Sequence, residues 1–229
     1  MQYRLTKSKF IMGLQCEKAL YLDTYKPQLA HYPPEQLRRF RQGREFEALI
    51  KERFEGGIDI SQRLGRNVKD YPELTAGLLQ TEGEVTLFEA GFVFNEVLVL
   101  ADVVHKEDDG TLSVFEIKNS FAVKEVFRRD VCLQHYVIAG GIKEMPGLHL
   151  DRFDIIYNDG KYNPAYEEML PRAKEAEHTI ARQVERLKGV LQGSEPDISV
   201  GNQCKQPYNC PFLNYCQGKV GGQLELIGM

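Results

Sequence analysis

The chain has 229 residues, of which 42% are hydrophobic and 27% are charged, and its formal net charge is −4. This composition supports a globular core, and the negative charge excludes a protein whose overall field attracts nucleic acid, so any DNA contact needs a local basic patch. No apolar run approaches the ~20 residues that a membrane-spanning helix needs, and the amino terminus lacks an apolar signal segment. We therefore predict a cytoplasmic protein without membrane contact.

The hydrophobic periodicity predicts alternating helices and strands along the chain. In order, we expect a short helix over 6–16 that continues to about 22, a strong helix over 34–54, a short strand at 58–60, a helix over 67–81, strands over 84–94, 97–106 and 111–119, a helix over 124–139, a strand over 148–157, and a long helix over 166–191. The pair Gly140-Gly141 is expected to stop the helix before it. This order favours an α/β fold with a mixed sheet flanked by helices.

The predicted helix over 34–54 is the most basic stretch of the chain. Four of its arginines lie close together, namely Arg38, Arg39, Arg41 and Arg44. Such a run is typical of a surface that contacts a phosphate backbone. It is equally typical of a solvated helix face whose arginines pair with Glu45 and Glu52, so both interpretations stay open.

Three charged residues stand in two apolar runs that we expect to pair as a hairpin. Asp102 lies in the run 97–104, and Glu116 and Lys118 end the run 112–118, with a turn signal at 107–110 between the two. Since side chains alternate along a strand, Glu116 and Lys118 share one face, with Asp102 on the neighbouring strand. Two converging carboxylates suit Mg²⁺ or Mn²⁺, and an adjacent lysine suits phosphodiester chemistry. The alternative is an ordinary ion pair at an exposed strand end.

The cysteines also form a pattern. Near the end of the chain, five residues separate Cys204 from Cys210 and five more separate Cys210 from Cys216. Cys16 is the best candidate for a fourth ligand. Zinc sites typically contain C-x2-C pairs, which are absent here, so the spacing favours an iron–sulfur cluster. A structural zinc site and free buried cysteines are the alternatives. Cys132 lies among apolar residues of a predicted helix and is expected in the core.

Taken in order, Cys16, the D…ExK hairpin and the three terminal cysteines resemble the iron–sulfur branch of the PD-(D/E)XK nucleases. This branch includes RecB-like exonucleases and the CRISPR-associated iron–sulfur exonucleases, and the chain is most similar to a bacterial family of unknown function within it. The resemblance covers nearly the whole chain. It rests on Gly43-Arg-Glu-Phe-Glu-Ala-Leu, Phe88-Glu-Ala-Gly-Phe, Leu100-Ala-Asp-Val-Val, Phe115-Glu-Ile-Lys-Asn-Ser, Asp130-Val-Cys-Leu-Gln-His-Tyr-Val, and the segment from Cys204 to Cys216.

The resemblance implies roles for individual residues. Asp102 and Glu116 match the metal-binding acids, and Lys118 matches the catalytic lysine. Gln134 matches a position on the following helix that contacts DNA or supports the site. Glu47 stands where many relatives place a histidine ligand, and a carboxylate in its place can also bind Mg²⁺ or Mn²⁺.

The resemblance also implies a single nuclease domain over residues 1–229 with a restriction-endonuclease-like core. In that domain Cys16 and the cysteine-rich tail at 200–218 close a structural [4Fe-4S] cluster. The expected function is a metal-dependent deoxyribonuclease, most typically an exonuclease, acting on single-stranded DNA or duplex ends. The alternative is a catalytically inactive module of the same fold that binds nucleic acid or a partner protein. The negative net charge and the departures from the family pattern at Glu47 and Tyr136 favour it.

Overall fold

The structure is a computed structural model that describes residues 3–159 and 164–219. The chain divides into two compact units. We call residues 1–7 and 39–181 the sheet unit, and residues 8–38 and 182–229 the cysteine unit. The single nuclease domain expected from the sequence stays a prediction.

The described residues form a mixed α/β structure. The strands are β1 (Leu5–Thr6), β2 (Ile58–Asp59), β3 (Val85–Phe94), β4 (Val97–Lys106), β5 (Thr111–Lys118), β6 (His149–Asn158) and β7 (Pro164–Glu168). The helices are α1 (Lys7–Gln15), α2 (Glu17–Tyr25), α3 (Pro34–Lys51), α4 (Ile60–Leu64), α5 (Tyr71–Leu79), α6 (Glu125–Ile142), α7 (Leu170–Val190) and α8 (Leu213–Cys216). The α/β class with a mixed sheet flanked by helices is therefore confirmed.

One seven-stranded sheet organises the sheet unit. Its main order is β2-β3-β4-β5-β6-β7, and β1 pairs with β4 off this path. The strands β3, β4 and β5 form an antiparallel meander that includes the expected β4–β5 hairpin, whereas β5 and β6 run parallel, with α6 as the connection between them. Parallel neighbours need such a crossover, so α6 is placed over the sheet by the chain path itself.

Side-chain alternation separates an apolar face of the central strands from the charged residues. Phe88, Val103 and Phe115 are buried cross-strand neighbours, and they pack with Phe46 and Ile50 of α3. The alternating positions of β5 therefore point to the other face, toward α6. This arrangement places the charged end of the predicted hairpin between the sheet and α6.

Two helix predictions were wrong in their extent. The pair Gly140-Gly141 does not stop α6, which runs on to Ile142. The long helix was expected to begin at residue 166, but residues 164–168 form β7, because they pair antiparallel with β6 at the end of the sheet. Helix α7 begins after that strand, at Leu170.

The first predicted helix is also divided. Cys16 has an extended backbone, with φ of −159° and ψ of 116°, and it separates α1 from α2. In the cysteine unit, Ala19, Leu22 and Phe212 form a buried cluster against which Cys16 packs. The interruption at Cys16 thus leaves a cysteine at the start of a helix, beside an apolar cluster.

Candidate active site

The end of the β4–β5 hairpin brings Asp102 and Glu116 together. The paired register ends at Val103 opposite Phe115, so Asp102 and Glu116 are the next opposite residues. Here a side chain replaces the backbone ladder, because Oδ2 of Asp102 accepts the N–H of Ile117 at 2.7 Å. This hydrogen bond fixes the Asp102 carboxylate beside the strand that carries Glu116.

Glu116 lies at the centre of the charged cluster and is only 1% exposed. Nζ of Lys7 donates to its two oxygens at 3.0 and 3.1 Å, and Nε2 of Gln134 donates to Oε2 at 2.7 Å. Lys118 forms a short ion pair with Oε1. Burial alone would raise the pKa of Glu116, but the two ammonium groups and the amide outweigh it and hold the pKa well below its usual range.

Lys118 is fixed by two acids. Its Nζ lies 2.8 Å from Oδ2 of Asp130 in addition to its contact with Glu116, and it stands 5.5 Å from the centre of the Phe127 ring. Burial lowers the pKa of Lys118, but the carboxylates of Asp130, Glu116 and Asp102 raise it well above its usual value. The side chain therefore stays an ammonium group, held in one place.

Gln134 connects α6 to the cluster. It is fully buried, and its Nε2 also lies 3.3 Å from Oδ1 of Asp130, one helical turn earlier on the same face. Its Oε1 has no hydrogen-bond partner among residues 3–159 and 164–219. Buried polar atoms almost always have a partner, so this unpaired oxygen is unusual. It is a free acceptor next to Glu116.

Asp102 differs electrostatically from Glu116. Burial raises its pKa well above the usual range, and the negative charge of Glu116 raises it further, although Lys7 and Lys118 oppose both effects. The carboxylate pair thus has one member that holds its negative charge firmly and one that is destabilised as an anion. A cation between them would favour the ionised form of Asp102.

Asp102 also belongs to a second group of acids. Carboxylate oxygens of Glu47, Glu89 and Asp102 all lie within 4.8 Å of one another. Nζ of Lys51 pairs with Glu47 at 2.5 Å and with Glu89 at 2.8 Å. Helix α3 therefore brings Glu47 to Asp102, as the resemblance implies, and a lysine one turn later neutralises part of the charge.

Glu89 falls opposite Asp102 in the β3–β4 register, between the pairs formed by Phe88 and Ala90. Its φ is +54°, in the left-handed region that residues other than glycine seldom adopt. Burial raises the pKa of Glu89, and the ammonium group of Lys51 opposes that effect. The sheet is thus interrupted at the point where a third acid joins the group.

Four cysteines line one small cavity in the cysteine unit: Cys16, Cys204, Cys210 and Cys216. The backbone joins two of them, since the N–H of Cys210 donates to the carbonyl of Cys204 at 2.9 Å. Burial raises the pKa of Cys210 to about 11, and the other three cysteines act in the same direction. All five cysteines are free thiols, and Cys132 is buried in α6, as expected.

The structure brings together most of the residues predicted from the sequence. Asp102, Glu116, Lys118 and Gln134 meet in one cluster, and Glu47 joins it through Asp102. Sequence reasoning did not assign Lys7 to this cluster, and no motif at the amino terminus could have done so. Asp130 was missed as a site residue, although its spacing of four residues from Gln134 on a helix indicates a shared face.

No protein-family model matches the chain, and no curated protein matches it significantly. The crystal structure of SSO0001 is similar to this chain with a TM-score of 0.41 and 16% sequence identity, over 94% of this chain and 86% of that one. Among the described residues, no helix is both long and apolar enough to cross a membrane.

Proposed function

We propose that this protein is a metal-dependent deoxyribonuclease of the PD-(D/E)XK type with a restriction-endonuclease-like core. The observation that carries the proposal is the cluster of Asp102, Glu116 and Lys118 at the end of one hairpin, with Gln134 donating to Glu116. A buried pair of carboxylates beside a fixed lysine is costly for a fold to keep unless the charges are used.

The donor set fits Mg²⁺ or Mn²⁺, because carboxylate oxygens are hard ligands and Oε1 of Gln134 is a free acceptor beside them. Asp102 and Glu116 would hold the ion, with Glu47 as a further ligand. When bound, such an ion polarises the phosphate and lowers the pKa of a water molecule.

The chain itself supplies position and charge. The Ile117 N–H orients Asp102, and Gln134 orients Glu116, so both carboxylates keep one direction. Lys118 holds a positive charge where a phosphodiester gains negative charge in its transition state. Its two acid partners keep the ammonium group from turning away.

Helix α3 gives a path for the DNA backbone. Arg41 and Arg44 are exposed on the same helix that carries Glu47, at spacings of three residues. Residues three apart on a helix lie on neighbouring positions of one face. A strand of DNA bound to these arginines would lead to the acids. The local positive charge of the arginines would attract the phosphates, although the chain as a whole has a net charge of −4.

Cleavage of end-labelled single- and double-stranded DNA by anaerobically purified protein tests this proposal. We expect products with Mn²⁺, none with EDTA, and a loss of at least about 100-fold in Lys118→Ala. Lys124→Ala is the matched control, because Lys124 also lies over the Phe127 ring, at 5.7 Å, but is exposed. Equal cleavage by Lys118→Ala and wild type would contradict the assignment.

We also propose that the four cysteines of the cavity hold a structural [4Fe-4S] cluster. Thiolates are the ligands of such clusters, and four of them face a single space. Burial raises the pKa of Cys210, and the positive charge of bound iron would oppose this effect by favouring the thiolate. The cluster would then join the α1–α2 junction at Cys16 to the segment from Cys204 to Cys216.

A second candidate is a catalytically inactive module that binds nucleic acid or a protein. One observation favours it: Lys7, Lys118 and Gln134 already satisfy the oxygens of Glu116, as in a purely structural ion network. Titration with Mn²⁺ separates the two, since an active site should bind the ion with an affinity that Asp102→Ala removes.

A further inference from the structure

A second lysine, Lys7, contacts the carboxylate of Glu116 from 109 positions earlier in the sequence. Lys7 is the first residue of α1 and follows β1 directly. Strand β1 pairs in parallel with β4 through Leu5 and Thr6, so the backbone before Lys7 is fixed against the strand that carries Asp102. The position of this lysine is therefore set by the pairing of β1 with β4.

The contacts of Lys7 differ from those of Lys118. Nζ of Lys7 bonds both oxygens of Glu116, and its side chain is 23% exposed. Within the described parts of the chain, no second carboxylate lies within ion-pair distance of it, whereas Lys118 also pairs with Asp130. An ammonium group has three N–H donors, and Glu116 takes two of them. One donor of Lys7 remains for an oxygen that arrives from solvent.

Lys7 also changes the net charge that the site presents to a phosphate. The two linked groups contain five carboxylates, those of Glu47, Glu89, Asp102, Glu116 and Asp130, and three lysines, Lys7, Lys51 and Lys118. With all of them ionised, the net charge is −2, and one divalent ion brings it to zero. Without Lys7 the site with its ion would keep one negative charge, which repels a phosphodiester.

We propose that Lys7 is a further catalytic residue, whose free N–H donor contacts a non-bridging oxygen of the scissile phosphate while its other donors hold Glu116. This role rests on the proposed nuclease function and deepens it. The site would then use two lysines on one glutamate, Lys118 from the same strand and Lys7 from the amino terminus. Neither lysine alone would make the site with its ion neutral toward a phosphate.

The test is Lys7→Met, which keeps the length of the side chain and removes its charge, beside Lys7→Arg, which restores the charge. Lys9→Met is the matched control, because Nζ of Lys9 lies on the same helix but donates to Oγ1 of Thr24 at 3.0 Å. Three quantities are measured for each protein: the Kd for Mn²⁺ by calorimetry, the Kd for DNA in EDTA, and the cleavage rate at saturating Mn²⁺.

For Lys7→Met we expect Mn²⁺ to bind roughly tenfold more tightly, because a competing positive charge is gone, while DNA binds more weakly and cleavage slows at least about tenfold. Lys7→Arg should recover DNA binding, and Lys9→Met should match wild type. If Lys7 had only a structural role, its removal would loosen Glu116 and weaken the binding of Mn²⁺. Tighter binding of Mn²⁺ together with weaker binding of DNA therefore distinguishes the proposed role from a structural one.

Two results would overturn the role of Lys7 and leave the proposed function intact: cleavage by Lys7→Met at the wild-type rate, or weaker binding of Mn²⁺ to this variant. No cleavage by the wild-type protein with its cluster would instead overturn the proposed nuclease function and the role of Lys7 with it.

Discussion

At the scale of single residues, His135 shows how burial affects a group that takes no part in the charged cluster. It is the neighbour of Gln134 on α6, it is 3% exposed, and its Nδ1 has no partner among the described residues. Burial lowers the pKa of His135, with Glu177 opposing and Lys174 supporting that effect from α7. The folded protein therefore favours the neutral imidazole.

This shift makes stability depend on pH in a defined direction. As the pH falls through about 6.5, the unfolded chain takes up a proton at His135 that the folded protein resists, so the free energy of unfolding decreases. In His135→Gln we expect a smaller decrease than in wild type between about pH 8 and about pH 5.5. Urea unfolding at a series of pH values measures it, and identical slopes for the two proteins would contradict it.

The charged cluster shows what single residues reveal in a sequence and what they do not. Asp102, Glu116 and Lys118 could be predicted because they lie on one hairpin, where alternation and register decide which side chains meet. Lys7 could not, since it is 109 positions away from Glu116 and its place depends on the pairing of the two-residue strand β1 with β4. Such long-range pairing leaves no local pattern.

At the scale of elements, α6 contains a glycine for a reason that its own sequence does not show. A Cβ at Gly140 would lie 2.3 Å from the ring of Phe94 on β3. Gly140-Gly141 was expected to end the helix, but α6 continues to Ile142. The absence of a side chain at Gly140 instead permits close packing of α6 on the sheet. Since α6 carries Gln134 and Asp130, this packing also sets the distance of the helix from the cluster.

Gly140→Ala should destabilise the protein, although alanine favours helices. The collision with Phe94 is expected to cost about 1–3 kcal/mol of unfolding free energy. Gly43→Ala is the matched control in α3, because nothing lies within 4 Å of its Cβ position, and we expect a gain of up to about 1 kcal/mol. Denaturant unfolding measures both, and a gain in stability for Gly140→Ala would refute the packing argument.

The segment at 164–168 shows why a local pattern alone did not predict every element of this chain. Its residues include Tyr166 and two glutamates that continue smoothly into the amphipathic pattern of α7. Pairing with β6 overrides that local preference and makes the segment a strand. Sheet edges are settled by tertiary contacts, whereas the central strands, with their long apolar runs, were predictable.

At the scale of the whole molecule, the cysteine unit contains a buried apolar cluster of Ala19, Leu22 and Phe212, and Cys16, Cys210 and Cys216 pack against it. A bound [4Fe-4S] cluster would add cross-links between distant segments of this unit, since Cys16 and Cys216 are 200 positions apart. Binding to the folded state alone stabilises it.

In Cys210→Ser we therefore expect the loss of most of the iron and sulfide, and a lower midpoint of thermal unfolding. Cys132→Ser is the control that should keep its iron, because Cys132 lies in α6 of the sheet unit. Iron and sulfide analysis with visible absorbance, in protein purified without oxygen, makes the measurement. Full iron content in Cys210→Ser, or zinc in place of iron in wild type, would disprove the cluster.

The shortness of β1 has a consequence for how the molecule responds to change. Its two paired residues hold Lys7 in place, and the anchor is Leu5, which is fully buried. A strand with so few paired residues opens at a small fraction of the free energy that unfolds a domain. Release of this strand would therefore detach one ammonium group from Glu116 while β4, β5 and α6 stay paired. Under the role proposed for Lys7, a substitution at Leu5 would therefore lower cleavage before it lowers the stability of β4, β5 and α6.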